Sequence, residues 1–151
     1  MIGILFEKGK KNSFENIHSD FPESLSKICK KNNVDLIHVS ALALNEAKDS
    51  KYAQSKVKGE KKIRENLLEA TIIKPSVVHS IDDNFTTKLL SLLRILPLFP
   101  LYYNGDTKFS PIHASEVAEL IFYIISKRIL FKDIEAIGPE VLSFKKIIKI
   151  L

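Results

Sequence analysis

Apolar positions along this chain alternate between short continuous runs and helical spacing. The opening run, Met1-Ile2-Gly3-Ile4-Leu5-Phe6, is closed by Glu7-Lys8-Gly9-Lys10 and has the profile of a buried strand ending in a loop. Between Asp20 and Asn33, Phe21, Leu25, Ile28 and Cys29 recur on one helical face, and Pro22 suits the first turn. Val34 to Ser40 predicts a second buried strand with its C-terminal end at Ser40. From Ser50 to about Leu68 good helix formers dominate, with Ala53, Val57, Ile63 and Leu67 on one side. Ala70 to Pro75 is a third strand, stopped by proline and followed by a loop containing Asp82-Asp83-Asn84. A leucine-rich third helix is predicted over 85–96, and Pro97 and Pro100 break the next stretch. Ser115 is expected to cap a fourth helix carrying Val117, Leu120, Ile121, Ile124 and Ile125. A short strand from Asp133 to Ile137 leads to Gly138-Pro139, and Ser143 caps a last helix with Phe144, Ile147, Ile148 and Leu151.

This alternation predicts an α/β fold, a doubly wound parallel sheet flanked by helices, in one domain over residues 1–151. Ligands in such sheets sit beyond the C-terminal ends of the strands, where Ser40 and Pro75 fall. Composition agrees with a soluble globular core, since 45% of residues are hydrophobic and 27% charged. The net charge of +5 comes from lysines spread along the whole chain, with Arg64, Arg94 and Arg128 the only arginines. That distribution argues against a nucleic-acid surface. The single cysteine, Cys29, excludes an internal disulfide and reads as a small buried hydrophobe. Charged residues arrive at Glu7 and Lys8 before any long apolar run, so no signal peptide is expected and the localisation predicted is cytoplasmic. The stretch from Leu89 to Tyr103 is apolar, but Arg94 and two prolines interrupt it short of the ~20 residues that a membrane span needs. It predicts a core helix and loop, with contact to a partner or membrane surface as the alternative.

Candidate chemistry lies in His38 to Leu42 and Lys51 to Glu60. Tyr52 and Lys56 are one helical turn apart on a shared face. In a carbonyl/alcohol redox site the phenol exchanges a proton with the substrate oxygen and the ammonium lowers the phenol's pKa. A strand-end serine, here Ser40, holds the oxygen. The pair alone has little specificity in a lysine-rich chain with 4 tyrosines. His79 and His113 read as loop residues rather than as a catalytic base, and no cluster has metal-ligand spacing, so no metal is expected.

The same segments carry a family resemblance. Gly3 to Gly9, His38 to Leu42, Tyr52 to Glu60, Lys74-Pro75-Ser76-Val77-Val78, Asp83-Asn84-Phe85 and Gly138 to Phe144 together resemble the atypical short-chain dehydrogenase/reductases. Within these, the chain is most similar to the nucleotide-binding accessory subunits of respiratory complex I and their bacterial relatives. The resemblance implies an NAD(P)(H)-binding fold, a structural rather than catalytic use of the cofactor, and complex I subunits as partners on the inner-membrane surface. It carries Ser40, Tyr52 and Lys56 as the catalytic positions, Gly3, Tyr52 and Lys56 as cofactor-facing, and Pro75, Ser76, Val77 and Val78 as the nicotinamide wall.

Departures are as informative. The 5 glycines, Gly3, Gly9, Gly59, Gly105 and Gly138, are too far apart to form the glycine-rich turn that receives a pyrophosphate. The resemblance begins partway into a fourth strand, which implies a partial Rossmann-like sheet lacking the first three strands. Dinucleotide binding by this chain is therefore expected to be weak or absent, and the apolar opening strand is expected to drive self-association. Two alternatives stay open: an active NAD(P)-dependent oxidoreductase or epimerase/dehydratase completed by another polypeptide, and a small interaction module.

Overall fold

Helix 1 begins at a proline and ends at an asparagine, both for local reasons. In the computed structural model, which describes residues 3–9, 11–81, 87, 90–91 and 102–150, α1 is Phe21–Asn32. Pro22 lies in its first turn, where no intrahelical N–H is needed. Asn33 takes the left-handed conformation (φ 55°), a conformation asparagine tolerates, and Val34 N–H returns to Cys29 O at 2.9 Å. A π-helical turn, Glu15–Asp20, runs directly into α1. The second helix, α2 (Lys51–Asn66), is capped by Ser50, whose side chain accepts from Ala53 N–H.

The chain divides into two compact units. The first, residues 1–74 with 121–135, holds a sheet of β1 (Ile37–Val39), β2 (Thr71–Pro75) and β6 (Asp133–Ala136), in the order β1-β2-β6. β1 and β2 are parallel, with His38 opposite Ile72. Ile72 N–H bonds Lys132 O at 2.8 Å and Ser76 N–H bonds Ala136 O at 2.9 Å, so β2 and β6 also advance together. Thr71, Ile72 and Ile73 are all buried, as a parallel strand covered on both faces requires. Cys29, Leu36, Ile63, Leu67 and Ala70 pack as one cluster, which places the lone thiol in the core as its spacing predicted.

The second unit, residues 75–120 with 136–151, carries three further pairings and turns. β3 (Val78–His79) runs parallel to β5 (Ile112–His113), and β4 (Lys108–Phe109) antiparallel to β7 (Leu142–Ser143). A 3-10 turn covers Tyr102–Gly105. Helices α3 (Ala114–Ser126) and α4 (Phe144–Ile150) follow β5 and β7, and Ile112, Val117, Ala136 and Ile147 are buried.

Three expectations are corrected. Residues 3–6 do not form a strand, and Leu5 and Phe6 are 62% and 77% exposed. An apolar run is buried only where a neighbouring strand edge receives it, and among the described residues no strand ladder includes this one. The strand predicted from Val34 begins only at Ile37, because Val34 closes the end of α1. Ser115 is not the cap of α3, since it lies within the first turn. His113 is the cap: its ring Nδ1 takes Ser115 N–H at 3.3 Å, and its own N–H goes to Glu116 Oε2 at 2.9 Å. The helix predicted over 85–96 and most of the Leu89 to Tyr103 stretch lie outside the described residues.

Candidate functional site

The face of α2 that looks inward is set by a spacing of four. Tyr52, Lys56 and Glu60 fall on successive turns of one stripe. Lys56 is buried (9% exposed) and its Nζ lies 5.6 Å from the centre of the Tyr52 ring, a cation–π contact. Burial pulls the Lys56 pKa down, opposed by the charge of Glu60. Burial pushes the Tyr52 phenol up, opposite to the lowering expected from its lysine neighbour. The phenol is thus held protonated.

Two histidines complete this cluster. His38, on β1, is lowered to about 4 by burial and by the nearby Lys56 and His18. His18, from the π-helical turn, stacks on Phe14 (5.4 Å) and meets Tyr52 edge-on (5.2 Å). Its Nε2 accepts from Ile4 N–H at 3.2 Å, so in the neutral ring Nδ1 carries the proton. That proton points at Ser55 Oγ, 3.0 Å away, and Ser55 in turn donates to Tyr52 O at 2.7 Å. Burial, then the charge of Lys56, keeps His18 neutral by lowering its pKa.

Ser40 is buried at the end of β1, and its hydroxyl donates to Glu60. Glu60 reaches on to Lys74 at 3.2 Å, Lys74 to Asp133 at 2.8 Å, and Arg64 pairs with Asp133. Arg64 also donates to Leu68 O at 2.8 Å and to Ala70 O. Burial disfavours the Lys74 charge, but Asp133 and Glu60 outweigh it and raise its pKa. The structure therefore brings Tyr52 and Lys56 together and turns Ser40 into an ionic chain that ties β1, α2, β2 and β6.

Gly3 is exposed, and a Cβ built on it would lie 3.9 Å from His18 Nε2. Pro75, Ser76, Val77 and Val78 open the second unit. Ser76 N–H bonds Ala136 O, and Val77 O accepts from Ile112 N–H at 2.9 Å.

The family profile of the RmlD substrate binding domain matches residues 7–137. The chain belongs to this family. Among curated relatives, the mitochondrial NADH dehydrogenase (ubiquinone) 1 alpha subcomplex subunit 9 of Dictyostelium discoideum is 34% identical over 95 residues, covering 63% of this chain and 26% of that protein. The Mus musculus protein of the same name is 30% identical over 126 residues, covering 83% of this chain and 32% of that protein. This chain thus spans about a third or less of these relatives. Among solved structures, a dTDP-4-dehydrorhamnose reductase of Clostridium acetobutylicum superposes with a TM-score of 0.76 at 14% identity, over 89% of this chain and 52% of that one. The Bacillus anthracis reductase, solved in complex with NADP, gives 0.74 at 14% identity over 89% and 52%. These likenesses establish the fold of the RmlD-domain chain as the Rossmann-like fold of NAD(P)-binding reductases.

Among the described residues Lys56 has no carboxylate in salt-bridge range, although it is buried beside a phenol. The roles of His38 and Glu60 were recoverable from sequence, because His38 and Ser40 share one face of β1 at period two, and Glu60 follows Lys56 by four. His18 carries no such local signal. Among the described residues no group of three or more His, Cys, Asp or Glu could hold a metal, and no helix is long and apolar enough to cross a membrane.

Proposed function

We propose that this chain supplies the nicotinamide-ribose half of a dinucleotide site in a complex I accessory subunit, where the nucleotide is bound for structure and not turned over. The observation that carries this reading is the buried Lys56 side chain, outside salt-bridge range of any carboxylate among the described residues, set against the Tyr52 ring. Lys56 and Tyr52 hold the ribose hydroxyls, and Gly3 lies toward the cofactor. A bound NAD(P)(H) would supply hydride chemistry at its nicotinamide ring. One feature favours holding over turnover: the Ser40 proton is committed to Glu60. The accessory-subunit names of the relatives support the partner, and the NADP in the Bacillus anthracis reductase supports the ligand class. In this reading the protein attaches peripherally at the inner membrane.

Because the glycine-rich phosphate cradle has no counterpart in these residues, NADH and NADPH should bind this chain with a dissociation constant of about 1 mM or weaker, roughly −4 kcal/mol. Nicotinamide mononucleotide probes the half-site directly. Saturation-transfer NMR should detect its binding, with the signal reduced several-fold by Lys56→Ala and unchanged by Lys58→Ala, since Lys58 is half-exposed and paired with Glu15. Equal losses in the two variants, or no transfer to the wild-type chain, would overturn the proposal.

A further inference from the structure

The chain has 4 histidines, and two of them, His18 and His38, belong to the cluster around Lys56. The other two read as loop residues in the sequence. The structure places them on paired strands instead, His79 at the end of β3 and His113 at the end of β5. Both strands lie in the second unit and run parallel, with His79 and His113 directly opposite in register. Opposite residues of a ladder project to the same face of the sheet. The two half-buried rings accordingly meet edge to face, with centroids 5.2 Å apart. No spacing in the sequence announces this pair, because only the β3–β5 pairing joins it.

The ring nitrogens differ in what they already bind. His113 Nδ1 is held by Ser115, whose Oγ lies at 2.8 Å and whose N–H lies at 3.3 Å. That leaves Nε2 for another partner. Among the described residues the His79 ring makes its one polar or aromatic contact with His113, so both of its nitrogens are open. Glu116 brings a carboxylate to the same end of β5, where Oε2 takes the His113 N–H at 2.9 Å. Neutral imidazole is the commonest metal ligand, and a carboxylate close by lowers the cost of gathering positive charge. An ion about 2.1 Å from one nitrogen of each ring, at a tetrahedral angle, sets the ring centroids roughly 5 Å apart. The observed separation matches, so rotation of the His79 ring suffices and the strands need not move.

We propose that His79 and His113 chelate a divalent transition-metal ion that prefers imidazole, and so tie β3 to β5. Two protein ligands rather than three make this an open site, with water or an added donor at the remaining positions. Binding through Nε2 requires the His113 ring proton on Nδ1, where Ser115 Oγ accepts it, while the longer bond from Ser115 N–H is given up. The site therefore carries a signature of its own, a change of His113 tautomer. None of this depends on the nucleotide reading.

Zinc is the probe. Calorimetric titration of the untagged chain with zinc chloride should show one ion per chain, bound in the micromolar range. Nitrogen-15 NMR of the same titration should shift the His79 and His113 rings, move the His113 proton from Nε2 to Nδ1, and leave His18 and His38 unchanged. Bound zinc should also raise the melting temperature, since only the folded chain brings the two rings together. His79→Phe removes both nitrogens but keeps a ring edge against His113. It should weaken zinc binding at least about tenfold with unchanged far-ultraviolet circular dichroism, and Ser115→Ala should weaken it by a smaller factor. No binding at submillimolar zinc, an equal affinity in His79→Phe, or a shift of one ring without the other would each overturn the chelate.

Discussion

Gly59 marks the closest approach of α2 to the π-helical turn, since a Cβ there would overlap the carbonyl oxygen of His18. Both partners are backbone, so neither can rotate aside. Gly59→Ala gains about 1 kcal/mol of helix propensity but forces two elements apart, which costs about 1–3 kcal/mol or more. Net destabilisation by chemical denaturation is expected, together with a changed His18 ring environment by NMR. Next to this contact Ser19 Oγ is buried with no partner among the described residues, whereas Ser24 donates to Asp20 O and Ser26 to Glu23 O. Ser19→Ala should therefore stabilise the chain by roughly 0.5–2 kcal/mol by removing an unpaired hydroxyl. A lowered melting temperature would show that the hydroxyl has a partner after all. His38 sets a pH dependence. Its folded pKa, about 4, lies below the ordinary 6.5, so between these values the unfolded chain binds the proton that the folded one refuses. Stability is complete above pH 6.5 and declines as pH falls toward 4, at up to about 1.4 kcal/mol per unit. His18 adds a slope of the same sign. Denaturation of His38→Phe across this range should give a shallower decline than wild type, and an unchanged slope would remove His38 from the account.

At the level of elements, those with their own stop signals were legible and those that depend on a neighbour were not. Pro22 and Asn33 bracket α1, and Ser50 starts α2, because caps act within a turn and need nothing distant. The opening apolar run reads as a strand, yet a strand exists only with a paired edge, and hydrophobicity alone does not provide one. The same limit applies to the site. Spacing puts Tyr52 and Lys56 on one face, their site roles and that of Ser40 were read from the resemblance, and the period of β1 puts His38 on the same side as Ser40. The chain from Ser40 through Glu60, Lys74 and Asp133 to Arg64 joins residues distant in sequence and has no local signature. The start of α3 shows how a correct element can carry the wrong cap. Ser115 is the better N-cap by type, but His113 and Glu116 satisfy the first donors reciprocally. Glu116→Ala and His113→Ala should each cost about 0.5–2 kcal/mol, and Ser115→Ala less, measured by urea denaturation. The reverse order would restore Ser115 as the cap.

For the molecule as a whole, the first unit holds the parallel sheet and the Tyr52–Lys56 pair. The reading proposed above, supported by the RmlD-domain match and the subunit 9 relatives, is of a nucleotide fold retained for assembly. A fold kept for assembly should lose its partners when the sheet that presents it is disturbed, but not when a hydroxyl that would act in catalysis is removed. Ser40 and Arg64 separate these cases. Ser40→Ala removes the proton donated to Glu60 while leaving Lys74 to pair with it, whereas Arg64→Ala strips Asp133, Leu68 O and Ala70 O of a donor shared across α2, β2 and β6. Losing such a shared cation costs about 3–5 kcal/mol when its partners are buried, and less here because Asp133 is half-exposed. Tagged at its C-terminus in its native cell and extracted with mild detergent, the wild-type protein and Ser40→Ala should co-purify with complex I subunits from the membrane fraction. Arg64→Ala should recover several-fold less. A wild-type protein found wholly in the soluble fraction with no complex I subunit attached would end the accessory-subunit reading, and loss of the complex in Ser40→Ala with retention in Arg64→Ala would shift it toward a catalytic use of the same fold.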